Sequence, residues 1–166
     1  MKPIVIFVLI AIVFIVVALA WFLRKGENNK MIITLNIIEA KKIDTGWSVI
    51  AELTFKNEGD AVFELDRPTA GDGGELINDV FDIRSGSERI AYTGMIKKRV
   101  APSQEDFIKV ASGATVQNKI QLAGYYAFPA SGGTFSATFE SFNYFSKDAV
   151  TMRSNTVSFE LSDTSR

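Results

Sequence analysis

Residues 47–55 read Trp-Ser-Val-Ile-Ala-Glu-Leu-Thr-Phe, and this stretch decides the fold class. Apolar side chains occupy every second position, at Trp47, Val49, Ala51, Leu53 and Phe55. The positions between them are polar apart from Ile50. Because successive side chains of a strand point to opposite faces, the pattern predicts a β-strand with one buried face.

Similar short patterns follow this strand along the chain, separated by Gly, Pro, Asn, Asp and Ser. The predicted strands are 32–39, 47–55, 62–65, 80–84, 89–92, 107–110, 115–122, 135–140 and 157–161. Strand 62–65 is expected to pair back on 47–55 as a hairpin. Spacings of about 8–12 residues predict an all-β fold, an Ig-like antiparallel β-sandwich of about seven to nine strands. The 13 Phe residues predict a Phe-rich core.

The N-terminal residues 3–23 contain no charged side chain and are almost entirely apolar. At about 1.5 Å per residue, a helix of roughly 20 residues crosses the ~30 Å hydrocarbon core of a bilayer. The sequence therefore predicts one transmembrane α-helix at 1–25, a short polar linker at 26–30 and a β-sandwich at 31–166. The anchor is marked by Pro3, Phe7, Phe14, Trp21 and Leu23.

A cleaved secretory signal is the alternative for this segment, since Ala18-Leu19-Ala20 fits the small-x-small pattern before a cleavage site. An uncleaved signal-anchor is favoured because the apolar run continues past Ala20 to an interfacial Trp21 and the basic pair at 24–25. We expect the domain on the periplasmic or extracellular side. The flanking charges leave a cytoplasmic orientation open.

Composition restricts the chemistry of the chain. Without His or Cys, it has no imidazole base, no thiol nucleophile and no thiolate or imidazole metal ligand. The net charge of −1 gives no overall field that would attract nucleic acid. We therefore expect neither an enzyme nor a cofactor, and no nucleic-acid or small-molecule partner.

Two groups of carboxylates are candidate sites. Five of them surround the glycine-rich stretch 71–74, and oxygen ligands suit Ca²⁺, but their spacing matches no EF-hand loop. They are Asp66, Asp72, Glu75, Asp79 and Asp82. The second group, Glu105-Asp106, would point apart on an extended segment, and Ser103 with Asp106 predicts a capped turn instead.

The candidate partner-contact residues are basic and aromatic, because Arg and aromatic side chains dominate interface energetics. They are Lys97, Lys98, Arg99, Tyr125, Tyr126, Tyr144 and Phe145. The alternative for the basic triplet is a solvated loop. For the aromatic residues the alternative is a position in the core or at a hairpin tip.

Residues 92–107 read Tyr-Thr-Gly-Met-Ile-Lys-Lys-Arg-Val-Ala-Pro-Ser-Gln-Glu-Asp-Phe. This stretch, Ile120-Gln121-Leu122, Gly133-Thr134-Phe135 and the 53–60 hairpin together resemble the non-catalytic β-sandwich domain that precedes the protease domain of deuterolysin-type (peptidyl-Lys) zinc metalloendopeptidases. The His-Glu-x-x-His protease segment is absent from the chain. The resemblance implies an Ig-like accessory domain that functions without its enzyme.

These observations together predict a non-enzymatic, single-pass membrane protein that binds protein. Its expected partners are the bilayer and integral membrane subunits of a larger complex, for which it would act as an accessory or stabilising subunit. Two alternatives remain open. One is a membrane-tethered module for glycans or cell-wall polymers, and the other is a protease-related, inhibitor-like regulator.

Overall fold

The computed structural model describes residues 30–144 and 147–163, and within them the chain is an all-β protein. The strands of this described part are β1 (Met31–Ile43), β2 (Gly46–Asn57), β3 (Phe63–Asp66), β4 (Phe81–Ser85), β5 (Glu88–Arg89), β6 (Phe107–Val110), β7 (Thr115–Gln121), β8 (Gly133–Phe142) and β9 (Thr151–Leu161). Three single 3₁₀ turns lie at Asp72–Gly74, Gln104–Asp106 and Leu122–Gly124.

Seven of these strands form one sheet in the order β5-β4-β8-β9-β1-β2-β7, and β3 pairs with β6 in a separate two-stranded sheet. β1 and β2 pair from Met31 opposite Asn57 to Ile43 opposite Gly46, so both extend beyond the predicted ranges. Neighbouring strands of the large sheet are antiparallel except β1 and β9, which run parallel where Ile33 lies opposite Ser154.

The large sheet folds over so that its two halves pack face to face. β2 and β8 are separated in the strand order by β1 and β9, which in a flat sheet would place them about 14 Å apart. The rings of Phe55 on β2 and Phe139 on β8 are nevertheless only 5.8 Å apart, edge to face. Phe81 on β4 packs on Phe139 at 5.6 Å. One hydrophobic core therefore lies between the two halves.

The predicted alternation of residues 47–55 is confirmed. Trp47 is 7% exposed, and Val49, Ala51, Leu53 and Phe55 are completely buried. The Phe-rich core is also confirmed, since the largest fully buried side chains include Phe55, Phe63, Phe81, Phe135 and Phe139.

The hairpin predicted between 47–55 and 62–65 is wrong. β3 pairs with β6, Phe63 lying opposite Val110 and Asp66 opposite Phe107. The free side of β2 is instead occupied by β7, which pairs along it from Lys56 opposite Thr115. A strand has only two edges, and β1 and β7 use both edges of β2.

A side-chain amide extends the parallel contact between β1 and β9. The Asn155 amide nitrogen donates to the Leu35 carbonyl at 3.1 Å, and its amide oxygen accepts from the Leu35 N–H at 2.9 Å. Asn155 thus gives Leu35 both hydrogen bonds that a neighbouring strand would supply.

The predicted anchor, with Pro3, Phe7, Phe14, Trp21 and Leu23, lies outside the described residues, as do the linker residues 26–29. Within residues 30–144 and 147–163 there is no helix of the length and apolar character needed to cross a bilayer.

Truncation of Phe139 tests the packing of the two halves. Phe139→Ala is expected to lower the free energy of unfolding by about 3–5 kcal/mol, because the large ring leaves a cavity between β2, β4 and β8. Urea denaturation followed by tryptophan fluorescence measures the change. Phe142→Ala removes the same atoms from a ring that is 39% exposed and should cost far less. Equal losses would contradict the folded-over sheet.

Candidate functional site

The most unusual surface feature is the 94–100 loop, Gly-Met-Ile-Lys-Lys-Arg-Val, which connects Tyr92 to the turn before β6. Its apolar side chains are strongly exposed, Met95 at 69%, Ile96 at 70% and Val100 at 87%. Single exposed apolar residues are common, but grouped ones mark interaction surfaces. The basic triplet chosen from the sequence lies between these apolar residues.

Tyrosine side chains hold the start of this loop. The rings of Tyr92 and Tyr125 stack at 6.5 Å and nearly parallel, and the Tyr92 hydroxyl donates to the Met95 carbonyl at 3.2 Å. The Thr93 N–H donates to the Tyr125 carbonyl at 2.8 Å. Gly94 lies so close that an added Cβ would be 2.5 Å from the Tyr92 hydroxyl oxygen. Glycine at this position allows the close approach.

A buried ion pair holds the other end of the loop. Arg99 Nη1 lies 2.7 Å from both carboxylate oxygens of Asp66, whose side chain has no exposed surface. The Arg99 side chain is only 18% exposed. In the middle of the loop, the Lys97 N–H donates to the Ile77 carbonyl at 3.0 Å, and the ammonium group lies 3.1 Å from Glu75. The backbone is therefore fixed while the apolar side chains face solvent.

An aromatic pair at the end of β8 accompanies the loop. The rings of Phe142 and Tyr144 are 4.5 Å apart, and Tyr144 is 70% exposed. Asn143 between them is completely buried, and its amide oxygen accepts from the Asp66 N–H at 2.9 Å while its amide nitrogen donates to the Glu64 carbonyl at 2.9 Å. Asn143 thus sets the position of this pair against β3.

Asp148 completes the attachment to β3. Its carboxylate accepts from the Glu64 N–H at 2.8 Å, and its carbonyl accepts from the Asn143 amide at 3.1 Å. The edge of β3 that β6 does not occupy is therefore satisfied by side chains. This edge is closed to pairing with another strand.

The 94–100 loop and the aromatic pair border a groove of about 410 Å³. Its apolar lining comes chiefly from Ile96, Phe142 and Tyr144, together with the buried Val80. Its charged lining comes from Asp79, Arg99 and Glu140.

Each of these charges has an opposite partner, since Asp79 lies 2.9 Å from Arg89, Glu140 lies 3.2 Å from Arg153, and Arg99 binds Asp66. Three carboxylates balance three guanidinium groups, so the groove carries no net charge.

The contact residues chosen from the sequence occupy different environments. Arg99 and Tyr144 line the groove, whereas Lys97 and Lys98 are exposed on the loop without lining it. Tyr125 is half-buried beneath the loop, where it stacks on Tyr92. Phe145 lies outside the described residues.

The prediction that Tyr126 contacts a partner is wrong, because this residue lies in the core. It is only 2% exposed and its ring packs on Phe81. Its hydroxyl donates to Asp79 at 2.9 Å and accepts from the Phe81 N–H at 2.9 Å. Burial raises the pKa of Tyr126 far above its usual value, and the hydrogen bond to Asp79 adds to this effect. Burial also raises the pKa of the neighbouring Tyr92.

The carboxylates around the glycine-rich stretch are paired with basic side chains. The ion pairs are Asp66–Arg99, Arg67–Asp72, Glu75–Lys97, Asp79–Arg89 and Asp82–Arg84. The guanidinium of Arg84, as hydrogen-bond donor, lowers the pKa of Asp82. Among the described residues, no three His, Cys, Asp or Glu side chains are grouped in a way that would hold a metal ion.

The capped turn expected at Ser103 is confirmed, since the Ser103 N–H and hydroxyl both donate to Asp106, at 2.7 and 3.2 Å. Glu105 is exposed on the same turn and makes no pair with Asp106 across a cleft.

Sequence reasoning missed Met95, Ile96 and Val100. The available signal was that apolar residues flank a basic triplet in a stretch without strand alternation. It also missed Asn143, since nothing local shows that an amide will meet a strand 79 residues earlier.

No known protein-family profile matches this chain, and no curated protein matches it either. The candidate site is therefore defined by its own geometry.

Removing the Arg99 side chain tests how the loop is held. Arg99→Ala is expected to lower the free energy of unfolding by about 3 kcal/mol, because it leaves the carboxylate of Asp66 buried without its cation. Lys97→Ala, which breaks an exposed pair with Glu75, should cost less than about 1 kcal/mol. Chemical denaturation measures both variants, and similar losses would contradict the distinct role of the buried pair.

Proposed function

We propose that this chain is a non-enzymatic, single-pass membrane protein whose β-domain binds protein as an accessory subunit of a larger membrane complex. The single observation that carries the proposal is the groove beside the 94–100 loop, where the apolar side chains of Ile96 and Tyr144 are each 70% exposed. A fixed apolar surface loses little conformational entropy on binding, which favours a docking role.

We also propose that the all-β domain is an Ig-like sandwich. The order β5-β4-β8-β9 corresponds to strands C′-C-F-G of an Ig variable-type domain, and β1-β2-β7 corresponds to A-B-E. This correspondence supports an Ig-like sandwich, with β3 and β6 as the additional pair. The resemblance to the accessory domain of deuterolysin-type proteases is compatible with it and remains a proposal.

The non-enzymatic part of the proposal rests on composition. Acyl transfer, thiol chemistry and zinc hydrolysis most often use His or Cys, and the chain has neither. The carboxylates that line the groove are engaged by guanidinium groups rather than placed opposite one another as an acid and a base.

The groove lies at the end of the domain where β1 begins, next to Lys30. Phe142 pairs with Thr151, and the parallel pairing of Ile33 with Ser154 brings Thr151 to the level of Lys30. If residues 3–23 span the bilayer, the groove opens close to the membrane surface. A partner that reaches it there would itself be a membrane subunit.

The chemistry of the groove suggests what such a subunit presents. Because the charges around the groove balance, an uncharged segment is favoured, and the exposed Ile96, Phe142 and Tyr144 would receive apolar side chains. The end of a transmembrane helix close to the membrane surface has this composition.

A glycan-binding module is the second candidate, and its platform would have to be aromatic. The described aromatics are largely dispersed into the core, where Phe128 packs edge-on against Phe135 and Phe159. Phe142 and Tyr144 form an exposed pair, but their rings are inclined at 65° and offer no flat stacking face. Protein binding is therefore favoured over glycan binding.

Site-specific crosslinking in native membranes tests the docking proposal. A benzophenone amino acid at Ile96 should crosslink to one integral membrane protein, whereas the same probe at Asp44, exposed in the turn after β1, should not. Tyr144→Ala should lower the yield from position 96 by about tenfold, as expected for an aromatic interface residue. Retention on a polysaccharide column that Tyr144→Ala abolishes, without any protein crosslink, would support the glycan alternative.

The side of the membrane is tested by labelling. The chain has no Cys, so Ser162→Cys introduces a unique thiol at an exposed position. A membrane-impermeant maleimide should label it in intact cells whose outer barrier has been permeabilised. Labelling that occurs only after lysis of the inner membrane would place the domain in the cytoplasm.

A further inference from the structure

The 94–100 loop has side chains that the groove does not use. Ile96 and Arg99 line the groove, but Met95, Lys98 and Val100 do not. Met95 and Val100 are 69% and 87% exposed, and Lys98 has no ion-pair partner among the described residues. An apolar–basic–apolar set therefore remains exposed on a backbone that Tyr92 and Asp66 hold in place.

The same end of the domain carries another exposed cation. Lys147 follows the aromatic pair and has no ion-pair partner in the part of the chain that the structure describes. Phe142 lies at the level of Lys30 and shares the groove with the loop residues Ile96 and Arg99. The exposed set thus lies near the level at which the chain enters the domain.

Chain length brings this end close to a membrane if residues 3–23 span it. Seven residue steps separate Leu23 from Lys30, so the two lie at most about 25 Å apart even when fully extended. The headgroup region adds about 5–8 Å beyond the hydrocarbon core. The entry end of the domain therefore lies within about 20 Å of the headgroup region, close enough for its exposed side chains to reach the membrane surface when the domain tilts.

The chemistry of the set fits that environment. Lysine ammonium groups bind phosphate while their alkyl stems lie along apolar material, and Met and Val side chains gain by leaving water.

We propose that Met95, Lys98 and Val100 form a bilayer-contact face that lies in the headgroup region, with Lys147 as a second phosphate contact. This inference rests on the proposed membrane anchor, but it does not depend on a protein partner. In this arrangement the side of the loop that carries Met95, Lys98 and Val100 contacts lipid, and the groove stays available to a protein partner. The contact would set the tilt of the domain and thereby the direction in which the groove opens.

Fluorescence quenching by lipid tests the proposal on the full chain in vesicles without any other protein. Val100→Cys carries a bimane label, and the vesicles contain a lipid with a nitroxide high on its acyl chain. The label should lose about twofold in intensity, because an interfacial side chain enters within 5–10 Å of the headgroup boundary. The same label at Asp44→Cys, at the far end of β1, should be unaffected.

A charge reversal tests the basic contact. In vesicles of anionic phosphatidylglycerol, Lys98→Glu should reduce the quenching at position 100, whereas Lys41→Glu, an equal charge change near the far end of β1, should leave it unchanged. Met95→Cys should behave like Val100→Cys. Circular dichroism confirms that each variant is folded.

Each outcome has a defined meaning. Flotation of the chain with the vesicles measures membrane anchoring separately from the contact of the loop with lipid. Quenching is therefore compared only among chains that float. Equal quenching at positions 100 and 44, or none at either, overturns the bilayer contact. The label at position 100 could also stay unquenched while a crosslinker at the same position captures a protein in native membranes. That result would assign the face to protein and overturn the bilayer contact. If the label at position 100 is quenched but the probe at Ile96 crosslinks to no protein, the docking proposal is wrong and the bilayer contact is supported.

Discussion

A single buried carboxylate organises the functional end of this domain. Asp66 has no exposed side-chain surface, so its charge requires compensation within the protein, and Arg99 supplies it with two contacts of 2.7 Å. The backbone N–H of the same residue donates to the Asn143 amide oxygen. Three separate segments, β3, the 94–100 loop and the end of β8, are therefore joined at one residue. The apolar side chains of the loop stay exposed because the backbone that carries them is not free to fold inward.

Side-chain amides repeatedly take the place of missing strands. Asn143 satisfies the open edge of β3, Asn155 satisfies Leu35 where β1 and β9 separate, and the Gln121 side chain accepts from the Val49 N–H at the end of β7. Each of these side-chain hydrogen bonds satisfies a backbone N–H or carbonyl group that would be costly to bury without a partner. Each also removes a position at which a foreign strand could pair. The exposed surface available for recognition is thereby confined to side chains, chiefly those of the loop and the aromatic pair.

The functional proposals follow from this division of the surface. The charges around the groove cancel, so recognition there would depend on apolar contact and shape. The outer side of the loop keeps Lys98 without an ion-pair partner among the described residues, so it suits a phosphate-rich surface. The groove lies at the end of the domain where β1 begins, and the loop borders it. A domain restricted in this way could hold one side toward lipid and another toward a neighbouring subunit.

Local periodicity in the sequence by itself determined much of this protein. The alternation from Trp47 to Phe55 predicted a strand with one apolar face, because the alternation of side chains between the two faces of a strand is a property of the local backbone. The Phe content predicted the composition of the core, because large apolar side chains are most often buried. The capped turn at Ser103 and Asp106 was predictable because its residues are neighbours in the chain. Only the tertiary structure decided that β3 pairs with β6, that Tyr126 is buried while Tyr144 is exposed, and that Asp66 neutralises Arg99. These outcomes depend on contacts between residues far apart in the chain, such as the 33 positions that separate Asp66 from Arg99. No local pattern encodes which distant edge is vacant or which charge will be buried.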